Sequence, residues 1–126
     1  MRNIETGEDR EIYRNAGRTI LCTWPGTEPR VVCTENDRRA ESTRLLSIGV
    51  PTGEVKTLHS WPDFRFGYYA SGDGKTIYGY TAHSGFSGLA RWDLASGKEI
   101  PFALKAGEKE IPYSVTTDGR WLLARN

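Results

Sequence analysis

Two turn motifs recur along this chain at one common spacing, and that repeat limits the fold more than any other feature of the sequence. The stretch Asn3-Ile4-Glu5-Thr6-Gly7-Glu8 returns loosely as Gly49-Val50-Pro51-Thr52-Gly53-Glu54 and again as Asp93-Leu94-Ala95-Ser96-Gly97-Lys98, with glycines 46 and 44 residues apart. The second motif, Ser71-Gly72-Asp73-Gly74-Lys75-Thr76-Ile77-Tyr78, returns 45 residues on as Thr116-Thr117-Asp118-Gly119-Arg120-Trp121-Leu122-Leu123. A degraded earlier copy begins at Pro25-Gly26-Thr27-Glu28. Two motifs that hold a constant offset define a structural unit of about 45 residues.

Short strand-like runs fill the space between the turns. Arg18 to Trp24, Phe64 to Ala70 and Glu110 to Thr116 form a first, inner set, rich in Ile, Phe and Tyr and starting soon after a Gly or Pro loop. Pro29 to Glu35, Thr76 to Ala82 and Arg120 to Arg125 follow the Asp-Gly-type turns, where glycine accepts the positive φ that a hairpin needs. Thr43 to Ile48 and Gly88 to Leu94 come third, and Glu11 to Asn15, Val55 to Ser60 and Ile100 to Lys105 fourth. No 3.6-residue periodicity runs long enough for a helix. Four strands per period predicts an all-β chain of β-propeller blades, each of four antiparallel strands. The chain then holds about three blades, two whole and one split between the termini. Residues 1–15 end the split blade, 16–60 and 61–105 are whole blades, and 106–126 are the first half of the split one.

The residues Asp93-Leu94 before Ser96-Gly97-Lys98, and Ser71-Gly72-Asp73-Gly74-Lys75 in the second motif, resemble the WD-repeat-like propeller repeats of TolB-type bacterial proteins. The resemblance spans nearly the whole chain. It implies a six- or seven-bladed ring around a channel, a face of loops that binds protein or peptide, and a periplasmic or secreted setting. Gly72 and Thr117 stand where that family has proline, and Thr27-Glu28 stands where it has Asp-Gly, so the first turn is expected to differ in type.

Composition removes several function classes. With 17 Lys and Arg against 16 Asp and Glu, the formal charge is +1 and no basic stripe forms, which argues against nucleic acid as a partner. The longest apolar runs, such as Trp121-Leu122-Leu123-Ala124, fall far short of the roughly 20 residues a membrane-spanning helix requires. The first eight residues have no apolar core of a signal peptide, although the compartment stays open. Cys22 and Cys33 are too far apart for a CxxC motif, and with only His59 and His83 to join them no metal site is expected. Two free, half-buried thiols are the expectation, with a hairpin disulfide as the alternative.

Near-misses to catalytic motifs do not hold up. Gly74-Lys75-Thr76 ends like a phosphate-binding loop, but the glycine needed five residues before Gly74 is Tyr69. Gly85-Phe86-Ser87-Gly88 lacks the final glycine of a nucleophile elbow, since Leu89 occupies that place. His83 and Ser84 are loop neighbours without an orienting carboxylate. The expectation is no catalytic residue, no cofactor and no metal, and hence no enzyme.

What remains is a surface. Loops joining fourth to first strands and second to third strands share one end of the blades, with the two turn families opposite. That end carries Arg38, Arg39, Trp61, Asp63, His83 and Phe86, the candidate residues for partner binding. As loop residues, Trp61 and Arg38 are expected to tolerate alanine with little change in stability. The expected function is a non-catalytic propeller module for protein or peptide binding, closing a six-bladed ring as a homodimer in which each copy completes the other's split blade. The alternative is the propeller part of a larger enzyme, such as a prolyl-oligopeptidase-like serine peptidase.

Overall fold

The computed structural model describes residues 1–71, 73–83, 86–101, 111–116, 118 and 120–125. Ten antiparallel strands and no helix form among them. The first sheet has β1 (Thr19–Thr23), β2 (Arg30–Asp37), β3 (Ser42–Gly49) and β4 (Val55–Trp61), in that order. The second has β5 (Phe64–Ala70), β6 (Thr76–His83), β7 (Phe86–Asp93) and β8 (Glu99–Pro101), again in chain order. A two-stranded sheet pairs β9 (Ile111–Val115) with β10 (Leu122–Arg125).

The repeated turns fold alike because their hydrogen bonds are local. Gly7, Gly53 and Gly97 take φ of 74°, 72° and 69°, the left-handed region that glycine enters without a Cβ clash. Their N–H groups donate to the carbonyls of Asn3, Gly49 and Asp93 at 2.9, 3.0 and 2.8 Å. The amides of those same three residues donate to Glu8, Glu54 and Lys98. In the second motif the Ser71 and Thr116 hydroxyls each donate to an aspartate two residues on, Asp73 and Asp118, at 2.5 Å. Those carboxylates accept the Lys75 and Arg120 amides. The turn around Gly26 has none of this pattern and is held by the Arg30 amide on the Glu28 carbonyl, so it does differ in type.

Strand alternation places β2 between two packed layers. Val32, Thr34 and Asn36 face the second sheet, where Val32 and Leu45 join Ile77, Ala90, Trp92 and Leu94 in one buried cluster. Cys33 and Glu35 face the other way, toward Ile12 and Tyr13, with Leu46 and Ile48 beside them. The N-terminal residues thus cover the outer face of the first sheet. The expected fourth strand over 11–15 does not form: only one isolated bridge, Arg2 to Asp9, closes this arm, and without a neighbouring ladder its backbone has nothing to pair with.

The packing step between sheets recurs along the chain. β5 lies against β1 and β2, and β9 lies against β5 and β6. Two of the turn glycines follow the same rule. Gly53 sits so close to the Ile12 carbonyl that a Cβ would lie 3.2 Å from it, and Gly97 sits as closely on the His59 ring.

The cysteines depart from the expectation of free thiols. Cys22 and Cys33 stand directly opposite in the β1–β2 register, with Cα atoms 4.0 Å apart, and form a disulfide instead of two free thiols. The register decides it: the hairpin centres on Thr27-Glu28 and sets the two cysteines directly opposite each other. Cys33 is fully buried, whereas Cys22 is exposed.

Candidate functional site

The free edge of β5 is where the two full sheets meet, and side chains complete it. Its backbone amides would be unpaired at an ordinary sheet edge. Instead the Arg65 N–H donates to Thr43 Oγ1 at 2.9 Å, the Gly67 N–H to Thr34 Oγ1 at 3.0 Å and the Ala70 N–H to Thr23 Oγ1 at 3.2 Å. The Arg65 carbonyl accepts from Asn36 Nδ2 at 3.2 Å. Buried Thr34, Asn36 and Thr43 are therefore satisfied by main chain from the next sheet.

Two of the six candidate residues belong to this joint. Trp61 ends β4, is half-buried, packs on Trp92 with ring centroids 6.2 Å apart, and underlies the Arg65 guanidinium. Asp63 is half-buried, with its Oδ1 3.0 Å from Arg65 Nε and its Oδ2 accepting from Arg65 Nη2 at 3.2 Å. Thr81 accepts from Arg65 Nη1 at 3.1 Å, and Glu99 completes the ion pairing. Burial pulls the Arg65 pKa below its ordinary value, with Asp63 acting to restore it. Arg65 itself was not anticipated. The signal was present in Phe64-Arg65-Phe66, where alternation sends the arginine to the face opposite two phenylalanines, but its partners lie as far away as Glu99.

Arg38 and Arg39 are brought together at the loop end with a residue that the sequence did not single out. The bend at Ala16, Gly17 and Arg18 and the turn at Asp37, Arg38 and Arg39 line one cleft of about 350 Å³. The segment that leads into β1 and the turn between β2 and β3 therefore share an end of the first sheet. Asp37 Oδ1 accepts the Arg39 and Ala40 amides at 2.9 and 3.2 Å. These bonds, then Arg18, hold its carboxyl below the usual aspartate range. Arg18 reaches both Asp37 Oδ2 and the buried Glu35, each at 3.2 Å. Behind this cleft Glu35 also takes the Tyr13 hydroxyl at 2.5 Å and the Arg44 guanidinium. Burial acts to raise the Glu35 carboxyl, but Tyr13, Arg44 and Arg18 outweigh it and leave its pKa below the ordinary value.

His83 and Phe86 stand opposite each other where β6 turns into β7, and their side chains lie outside the described residues, as do Ser84 and Gly85. The loop of residues 106–108 and the end of the expected fourth strand, 102–105, also fall outside them. His59 is a joint residue, its Nε2 3.0 Å from the Leu94 carbonyl oxygen. Among the described residues no three His, Cys, Asp or Glu side chains gather around a common point.

Comparison with known proteins finds no family model that matches the chain and no match among curated proteins. The functional reading therefore rests on the geometry of the loop end.

Proposed function

We propose that the chain is a non-catalytic β-propeller module whose loop end binds a protein or peptide and whose blades close into a six-bladed ring by pairing with a second copy. The carrying observation is the recurrent packing step: first strands lie against one another in succession, and the turn glycines Gly53 and Gly97 each abut the layer before them. Repetition of one rotation between like units is how a radial array is built. The side-chain seam along β5 supports the same reading, because it joins two sheets without merging their hydrogen-bond ladders.

Self-association is supported by exposed apolar surface. Trp121 and Leu123, 74% and 66% exposed, accompany a sheet with only two described strands. A second copy would bring its N-terminal arm to that sheet and cover both side chains, as closed cyclic symmetry favours. Light scattering behind a sizing column tests the ring. The expected mass at micromolar concentration is twice 14.1 kDa, and a monodisperse species of 14.1 kDa overturns ring closure by a second copy.

A further inference from the structure

We propose that the cleft between the Ala16–Arg18 bend and the Asp37–Arg39 turn binds a carboxylate carried by a protein partner, with Arg38 and Arg39 as the guanidiniums that hold it. This inference rests on the reading of the loop end as a binding face and names the chemistry of its ligand.

Charge in the cleft is unbalanced in a specific way. Three arginines and one aspartate line it. Asp37 is already committed to two backbone amides and to Arg18, and the other reach of Arg18 is committed to Glu35. That leaves Arg38 and Arg39 exposed, and among the described residues neither guanidinium meets an acidic side chain. Two adjacent, uncommitted planar forks suit the two oxygens of a carboxylate, which arginine grips through paired hydrogen bonds.

The walls are set before a ligand arrives. Asp37 caps the turn that carries both arginines, and Asn15 Nδ2 donates to the Arg18 carbonyl at 2.8 Å to fix the opposing bend. Gly17, at φ 73°, has open space where a side chain would project, so the cleft mouth is clear. Little loop ordering then opposes binding. A volume of about 350 Å³ accepts an acidic side chain or a chain terminus with its flanking residue. Nucleic acid fits poorly, because two uncommitted cations in one cleft of a chain with a net charge of +1 offer no track for successive phosphates.

Fluorescence anisotropy at physiological salt tests the site with four probes. One is a fluorescein-labelled octapeptide with four glutamates and an amidated end, and a second has serine for each glutamate and a free terminal carboxylate. The third is the uncharged, amidated serine peptide, and the fourth an eight-base thymidine oligonucleotide. The proteins are the unaltered chain, Arg38→Ala with Arg39→Ala, and Lys56→Ala with Lys98→Ala, which removes the same charge from exposed sites elsewhere. A carboxylate peptide should bind, and should weaken by about tenfold or more in the arginine variant but less than about twofold in the lysine variant. Whichever carboxylate probe binds identifies the source as side chain or terminus. The proposal is overturned by equal weakening in both variants, by no binding of either carboxylate peptide at millimolar concentration, or by equal or tighter binding of the uncharged peptide or the oligonucleotide. A protein of the dimer mass that ignores both carboxylate peptides overturns the cleft and leaves the ring. A monomer that binds one of them does the reverse.

Discussion

The Arg65 guanidinium lies over the Trp61 ring, 4.9 Å from its centroid, and so joins the last residue of one sheet to the first strand of the next. With Asp63, Thr81 and Glu99 around it, this cation ties β5, β6 and β8 to the β4–β5 link. Arg65→Ala would leave two acidic groups in a largely dry joint. The expected loss is about 3–5 kcal/mol, read by urea unfolding at unchanged m-value. Arg65→Lys keeps the charge without the planar fork and should lose less.

Trp61 separates a structural role from a surface one. Its ring packs against the main core cluster, so Trp61→Ala should cost about 2–3 kcal/mol, contrary to the tolerance expected of a loop residue. Arg38→Ala, on an exposed turn, should stay within about 0.5 kcal/mol. Comparable melting curves for the two variants would overturn this division.

Gly79 faces Gly67 across the β5–β6 ladder, and a Cβ there would lie 2.0 Å from the Phe66 carbonyl oxygen and 2.7 Å from the Trp92 ring. Main chain cannot step aside as a flexible side chain can. Gly79→Ala should therefore cost about 3 kcal/mol or more. Gly7→Ala meets nothing within 4 Å and carries only the left-handed backbone cost of about 1–2 kcal/mol. Thermal unfolding of the two variants side by side checks the ranking.

How much of this could be read from the sequence depends on the range of the interactions. The repeated turn positions are legible because their defining bonds fall within six residues: in one motif a glycine takes positive φ, and in the other an aspartate accepts the amide two residues on. The all-β fold followed from those turns. The residues at 11–15 carry a strand-like pattern but form no strand, since a strand needs a partner and local pattern cannot supply one. Arg38 and Arg39 were legible as a loop pair, yet Arg18, nineteen residues before Asp37, joined them only through hairpin register. Trp61 and Asp63 read as loop residues from local pattern because the cation that buries them, Arg65, finds its remaining partner at Glu99.

The disulfide gives a direct chemical test. Before reduction the folded chain should show no reactive thiol, and after treatment with a phosphine reductant two. The exposed position of Cys22 lets the reagent reach the bond without unfolding. Reduction, or Cys22→Ala with Cys33→Ala, should cost about 2–4 kcal/mol by the constraint it lifts from the unfolded chain. Thiol reactivity in the unreduced protein would overturn the pairing.

Acid should act on Glu35 through linkage. A carboxyl whose folded pKa lies below its unfolded value adds stability at all pH above the unfolded value and loses it as pH falls through the folded one. Glu35 is of this kind, so stability should drop as pH falls below about 4.5. Glu35→Gln should be less stable at neutral pH by about 1–3 kcal/mol, with Arg18 and Arg44 screened by their partial exposure. Its stability should also fall less steeply in acid, and parallel pH profiles for the two proteins would overturn the assignment.

The turns around Gly7, Gly53 and Gly97 each close the same two backbone hydrogen bonds within their own six residues, so the bend itself is set locally. Such a piece is portable. A gene segment encoding it can be copied in tandem, and each copy will bend the chain correctly before any neighbour exists to receive it. The strands between such corners are then free to differ in sequence, since the bend does not depend on them.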